Sequence, residues 1–240
     1  MDESATQPRD RGIYLLAAHP AWRDSRVNRR LLAAAREVGG VDAQDLYAAY
    51  PDFDIDVAEE QARAEAARML VLLHPIQWYS MPALQKLWFD EVLALGWAYG
   101  VGGHALKGKD LWLVATTGGP ETSYHPQGYN RYFFDAFLPP YEQTAALCGM
   151  RFVPPLLLHG AHAAPEEAIA SHLETFRQRL ASHPQWPELA DLDDCPTCEV
   201  PPADRPADRS SDRSTDHSSD RSTDRSIDRS TGMLLPARTR

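Results

Sequence analysis

Long apolar runs are missing: no stretch of roughly eighteen consecutive apolar residues occurs, so no helical membrane span is predicted. The first eleven residues, Met1 to Arg11, are polar and charged, without the apolar segment of a secretory signal, and a flexible N-terminus on a cytoplasmic protein is expected. Cysteine is scarce. Cys148, Cys195 and Cys198 are too few and too unevenly placed for a disulfide framework, which suits a reducing compartment. Excess positive charge is also lacking: the net charge of −10 repels nucleic acid and anionic membrane surfaces, so no nucleic-acid partner is expected.

Several motifs fail as well. No G-x-G-x-x-G follows a strand, which argues against a dinucleotide-binding dehydrogenase. The first strand ends in Ala17-Ala18-His19, without the carboxylates of a phosphoacceptor site. Gly103 to Lys109 has the spacing of a phosphate-binding loop, but Asp110 stands where Ser or Thr is required, and the segment precedes a strand. Cys195-Pro-Thr-Cys198 is a lone pair in a proline-rich stretch, and His104, His125, His159 and His162 lack helical ligand spacing, so no metal site is predicted.

What is present is a chain of 240 residues, 43% hydrophobic, enough for one domain with a sizeable core. Between Ile13 and His183, short aliphatic or β-branched runs alternate with amphipathic stretches, the pattern of strands and crossover helices around a parallel sheet. Five strands are predicted: Ile13 to Ala18, Val41 to Leu46 at an edge, Met69 to Leu73, Leu111 to Ala115, and Phe152 to Leu158, irregular at Pro154-Pro155. The intervening helices are expected from a cap at Asp24 or Ser25 through Ala35 to a stop at Gly39-Gly40, and over Asp56 to Arg68. A third starts at Pro82 with a buried face of Leu84, Leu87, Trp88, Val92 and Leu95. Another lies between Phe133 and Cys148, with Cys148 as a core thiol, and the last covers about Pro165 to Ala181. The domain is read as 12–184. Over 185–240 Pro, Asp, Ser and Arg dominate, and from Asp204 to Asp228 an aspartate recurs at every fourth position. With so little to bury, this low-complexity tail is expected to be disordered.

In an open parallel sheet, ligands bind outside the carboxyl ends of the strands. The loop after the first strand, His19 to Asn28, offers hydroxyl, amide and free N–H groups at a helix start, the chemistry a phosphate needs, although Ser25 as a simple cap serves equally well. After the third strand, His74-Pro-Ile-Gln77-Trp78-Tyr79-Ser80-Met81-Pro82 sets two rings between two prolines, a wall for a planar ring system. After the fourth, Thr116-Thr117-Gly118-Gly119-Pro120 supplies hydroxyls and a close-approaching backbone, followed by Tyr124, His125 and Asn130. Three loops at one sheet edge thus bring a phosphate cradle, a ring wall and a backbone clasp.

On these residues, and on Tyr50-Pro-Asp-Phe53, Leu87 to Val92 and Gly96-Trp-Ala-Tyr-Gly100, the chain from Gly12 to His183 resembles the flavodoxin-like NAD(P)H:quinone oxidoreductases. Within them it is most similar to the ancillary oxidoreductase subunits of glutathione-regulated potassium-efflux systems. The resemblance implies an α/β, flavodoxin-like open five-stranded parallel sheet, order 2-1-3-4-5, with helices on both faces. It implies FMN, preferred to FAD, held at its phosphate and ribityl chain by His19, Ser25, Arg26, Val27 and Asn28. Ile76, Gln77, Trp78, Tyr79, Thr116, Thr117, Gly118 and Gly119 would embrace the flavin ring.

Tyr124 matches a family tyrosine that stabilises charge on reduced flavin. Asn130 stands where the family has a histidine, and can donate a hydrogen bond but not carry the proton. Trp97 and Tyr99 are candidates for the substrate pocket mouth, with ordinary packing as the competing reading. The implied activity is two-electron hydride transfer from NADH or NADPH to a quinone, both using one site in turn, in a homodimer. An alternative makes the chain a regulatory subunit docked, at the cytoplasmic side of the inner membrane, on a potassium/proton antiporter, with flavin structural or sensory. The tail as a tether for a partner is a third reading.

Overall fold

The computed structural model describes residues 12–190 and 192. The repetitive segment and the Cys195/Cys198 pair lie outside the described residues. Five parallel strands form one sheet in the order β2-β1-β3-β4-β5: β1 (Ile13–Ala17), β2 (Val41–Asp45), β3 (Met69–Pro75), β4 (Asp110–Thr116) and β5 (Arg151–Leu158). Ile13 sits opposite both Val41 and Met69, and Asp110 opposite Met69 and Arg151, so the strands start level and finish together at one edge.

Because side chains alternate across a strand, β1 divides its residues between two cores. Tyr14 and Leu16 join Leu70, Leu72, Leu111 and Leu113 on one face; Ile13, Leu15 and Ala17 join Met69, Val71, Trp112 and Val114 on the other. The second face is covered by α1 (Asn28–Arg36) and α6 (Glu166–Ser182), whose Leu31, Ile169 and Phe176 are buried there. The first is covered by α2 (Leu46–Ala49), α3 (Val57–Ala66), α4 (Ala83–Val92) and α5 (Pro139–Leu147), through Leu46, Ala64, Leu84, Trp88 and Tyr141. With both faces covered, the central strands are continuous apolar runs.

The predicted sheet order, the edge position of β2 and the buried thiol of Cys148 are all present. At Pro154-Pro155 the pairing of β4 with β5 shifts register, as expected where two consecutive residues lack an N–H and the strand lies at the sheet's edge.

Three local expectations are corrected. The first helix begins at Asn28 with Val27, not Asp24 or Ser25, at its cap position: Trp22–Asp24 forms a 3₁₀ turn, and Ser25 serves the helix from outside by accepting the N–H of Arg29 at 3.1 Å. The second strand stops at Asp45, whose carboxylate accepts the N–H groups of Tyr47 and Ala48 and starts the short α2, so Leu46 is helical. Leu95 does not share the buried face of α4, because the helix ends at Val92 and Gly96 reverses the chain at φ +83°; Leu95 is 73% exposed.

Candidate functional site

The loop from β1 to α1 is built around its own backbone. His19 accepts the N–H of Ala21 at Nδ1, 3.1 Å away, and stacks on Trp22 with ring centroids 5.2 Å apart. That bond assigns the proton of a neutral ring to Nε2. Burial is the main cause that lowers the pKa of His19, and it outweighs the opposing charges of Asp24 and Asp45.

At the start of α1, Asn28 is buried and donates from Nδ2 to Thr116 Oγ1 at 2.8 Å, joining the first loop to the end of β4. Its Oδ1 is buried and has no partner among the described residues. The backbone N–H groups of Arg26, Val27 and Asn28 likewise meet no acceptor there. First-turn N–H groups always lack intrahelical partners, and the helix dipole makes that end favourable for an anion.

Beyond β3, the N–H of Ile76 bonds Thr116 O at 2.7 Å. Gln77 and Ser80 then exchange two backbone hydrogen bonds, 2.9 and 3.0 Å, around the tips Trp78 (φ +49°) and Tyr79 (φ +65°). Two consecutive left-handed residues are what a tight two-residue hairpin demands, but glycine and asparagine normally fill them. An aromatic residue there costs about 1–2 kcal/mol. The rings gain little burial in return: Trp78 is 94% exposed, and Tyr79 stacks on Phe137 while donating to Asn130 Oδ1 at 3.3 Å.

The segment after β4 is anchored to the turn after β5. Thr117 N–H bonds Leu158 O at 3.0 Å, Gly160 N–H bonds Gly119 O at 2.8 Å, and Ala161 N–H bonds Thr117 O at 2.9 Å. The Thr117 hydroxyl donates to Gly119 O at 2.7 Å and lies 3.1 Å from His159 Nδ1. Tyr124 is buried among Phe134, Phe137 and His159; burial, partly offset by the nearby Thr117 hydroxyl, raises its pKa.

Between these loops lies a cleft of about 220 Å³. It brings together His19, Ser25, Arg26, Val27 and Asn28 from the first loop, Ile76 and Gln77 from the second, and Thr116, Thr117 and Gly118 from the third. Trp78, Tyr79 and Gly119 lie outside its wall. So does Tyr124, which lies under the clasp, and Asn130, which meets the hairpin tip at Tyr79. Trp97 and Tyr99 are also absent from the wall; they are half-buried against the core. There Gly103 approaches so closely that a Cβ would sit 2.2 Å from Tyr99 O.

The sequence reading missed four lining residues: Asp24, Pro75, Ala161 and His162. The last two follow β5, and the rule that ligands meet the carboxyl ends of strands, applied to that fifth loop too, would have found them.

The residues fit a phosphate-bearing flavin. Free first-turn N–H groups suit a phosphate, the unpartnered Asn28 Oδ1 suits a hydroxyl of a sugar-alcohol chain, and Gly118 keeps the wall open. A Cβ at Gly118 would meet no protein atom nearer than the His162 ring at 3.6 Å, so it would project into cleft space.

A family model described as a flavodoxin-like fold matches residues 12–180. The chain is similar to the glutathione-regulated potassium-efflux system ancillary protein KefF of Citrobacter koseri, with 43% identity over 176 residues, 73% of this chain and 97% of the relative. It is similar to the structure of general stress protein 14 from Treponema denticola in complex with FMN, at 36% identity and TM-score 0.64, covering 70% of this chain and 95% of that one. It is also similar to an NADPH-quinone reductase from P.pentosaceus, at 26% identity and TM-score 0.65, covering 71% and 98%.

Proposed function

The chain belongs to the flavodoxin-like fold family, and from that premise we propose that it is an FMN-dependent NAD(P)H oxidoreductase reducing quinone-type acceptors by two electrons. One observation carries the reading. Ten of the thirteen residues expected around a flavin line a single cleft, into which the backbone N–H groups of Arg26, Val27 and Asn28 and the Asn28 Oδ1 bring no partner of their own among the described residues. Relatives in complex with FMN and with NADPH-quinone reductase activity in their names support it.

When bound, FMN supplies the ring that accepts a hydride from the nicotinamide and returns two electrons to the quinone, which makes the kinetics ping-pong. The residues of the chain bind and orient. The N–H groups of Arg26, Val27 and Asn28 would hold the phosphate, the Asn28 amide would fix the ribityl chain, and Ile76, Gln77 and the Thr116–Gly118 backbone would meet the ring. Tyr124 packs on His159 beneath the clasp and, with Asn130 behind Tyr79, keeps the hairpin and clasp preorganised. Trp78 and Tyr79, held strained and exposed at the hairpin tip, present rings to the incoming substrates. Exposed Tyr129, Tyr132 and Phe133 add apolar surface suited to a second copy of the chain.

The absorption spectrum of the purified protein, with the released chromophore identified by chromatography before and after NADPH, tests the reading. A yellow protein that releases FMN and bleaches on NADPH supports it. A colourless protein that ignores added flavin ends it.

The similarity to a potassium-efflux ancillary protein favours a second reading, in which the chain docks on the cytoplasmic side of an antiporter. No helix among the described residues is long and apolar enough to cross a membrane, so such attachment runs through the partner. Co-purification with the transporter, set against steady NAD(P)H oxidation by the isolated chain, separates the two roles.

A further inference from the structure

We propose that His162, delivered by the turn after β5, is a phosphate-binding residue of the cleft, and that Arg26 is the positioning residue that fixes it there. The inference rests on the flavin reading above and adds a fourth loop to the three that the sequence pointed to.

Two backbone bonds moor the turn to the clasp, from Gly160 to Gly119 and from Ala161 to Thr117. The remaining anchor is long-range. Arg26 Nη1 donates to His162 O at 3.0 Å and to Ala164 O at 3.3 Å, and Nη2 lies 3.7 Å from Glu166. Arg30 pairs with the same carboxylate. Although Arg26 stands beside the phosphate cradle, its guanidinium is therefore spent on carbonyls and a neighbouring acid, leaving little of its charge and donor capacity for a ligand.

His162 is free of such commitments. No side-chain partner of its ring is present among the described residues, and the ring forms part of the cleft wall. Its Nε2 edge faces the space above Gly118, 3.7 Å from where a Cβ would stand. His162 and His19 line the same cleft. His19 uses Nδ1 on Ala21 and keeps only Nε2–H for a ligand. Both imidazoles thus line the one cleft into which the start of α1 presents its free N–H groups, and Arg26, whose own N–H is one of them, holds the His162 backbone.

An anion with three or four acceptor oxygens, a phosphate monoester, satisfies this set; an uncharged hydroxymethyl terminus does not. Because the Arg26 clamp holds His162 before the ligand arrives, little ordering cost remains at binding.

The test is flavin affinity, read by fluorescence quenching when the full-length protein, stripped of flavin, is titrated with FMN and with riboflavin. His162→Ala should weaken FMN by roughly ten- to a hundredfold, the worth of one hydrogen bond to a charged group, and leave riboflavin unchanged. His162→Gln, which retains an N–H donor, should recover part of the loss. Arg26→Gln should weaken FMN in the wild-type background and add little in His162→Ala, since the two residues act as a unit.

Equal losses for FMN and riboflavin, or no loss for either, overturn the assignment of His162. Additive effects of the two substitutions overturn the clamp. Wild-type protein that binds no flavin at all overturns the flavin reading and takes this inference with it.

Discussion

Trp88 of α4 donates its indole N–H to Glu60 of α3 at 2.6 Å, wholly inside the protein. The same carboxylate accepts the hydroxyl of Tyr14 at 2.5 Å and that of Tyr50 at 2.7 Å. Burial and the neighbouring carboxylate push both tyrosine pKa values up, so the phenols remain donors. Three donors from three segments thus share one acid. Without it, β1, the end of α2 and α4 would each bury an unpaired polar group.

Glu60→Gln should therefore destabilise strongly. The amide keeps one acceptor oxygen and turns an N–H group toward donors that need an acceptor. A loss on the order of 2–4 kcal/mol is expected, read from the urea midpoint at neutral pH. A change within a few tenths of a kcal/mol would show that the network is dispensable.

Gly118→Val should separate binding from folding. Its side chain would enter cleft space, with no backbone in the way, so the unfolding temperature should stay within a few degrees of wild type while flavin binding is lost. Gly103→Ala makes the contrast: its Cβ meets the Tyr99 backbone at 2.2 Å, and the fold itself should suffer. Thermal unfolding and FMN titration of both variants check the pair.

Trp78→Gly should raise stability and lower quinone reduction. The left-handed backbone at this position suits glycine, and a ring 94% exposed gives up little burial when removed. An expected gain of about 0.5–1 kcal/mol accompanied by lost activity is the pattern of a strained functional residue. Steady-state kinetics beside thermal unfolding of the same sample tests it.

Acid should weaken the fold in two stages. Burial lowers His74 and His172 from the ordinary 6.5 to about 4. A histidine neutral in the fold but protonated when unfolded contributes stability above pH 6.5 that drains away as the pH falls toward 4, about 3 kcal/mol for each. Asp110 acts lower. Burial would raise its pKa, but hydrogen bonds from His183 and Arg151 and their charges win and hold it below 3.8, so its contribution is lost only beneath the usual carboxylate range.

His172→Leu separates one contribution from the rest. Its Nε2 is buried with no partner among the described residues, so an apolar side chain should add about 1 kcal/mol at neutral pH and flatten the first stage. Urea unfolding from pH 7 to pH 4 checks both signs.

What the sequence determined on its own was what depends on local order along the chain. Alternation of apolar runs and amphipathic stretches sets the five strands and their helices; Pro154-Pro155 disturbs pairing wherever β5 lies; His19 to Asn28 and Thr116 to Gly118 stand directly after strands, at the edge where one cleft opens. Tertiary structure decided what depends on residues far apart. The Asn28–Thr116 bond spans 88 positions and the Arg26–His162 bond 136, and no periodicity encodes either. Both exist because β1, β3, β4 and β5 finish at the same edge. Likewise the start of α2 at Asp45, the exposure of Leu95 and the burial of Tyr124 beneath Thr117 follow from caps, chain reversals and packing partners. In those places geometry overrides the propensity of the residue.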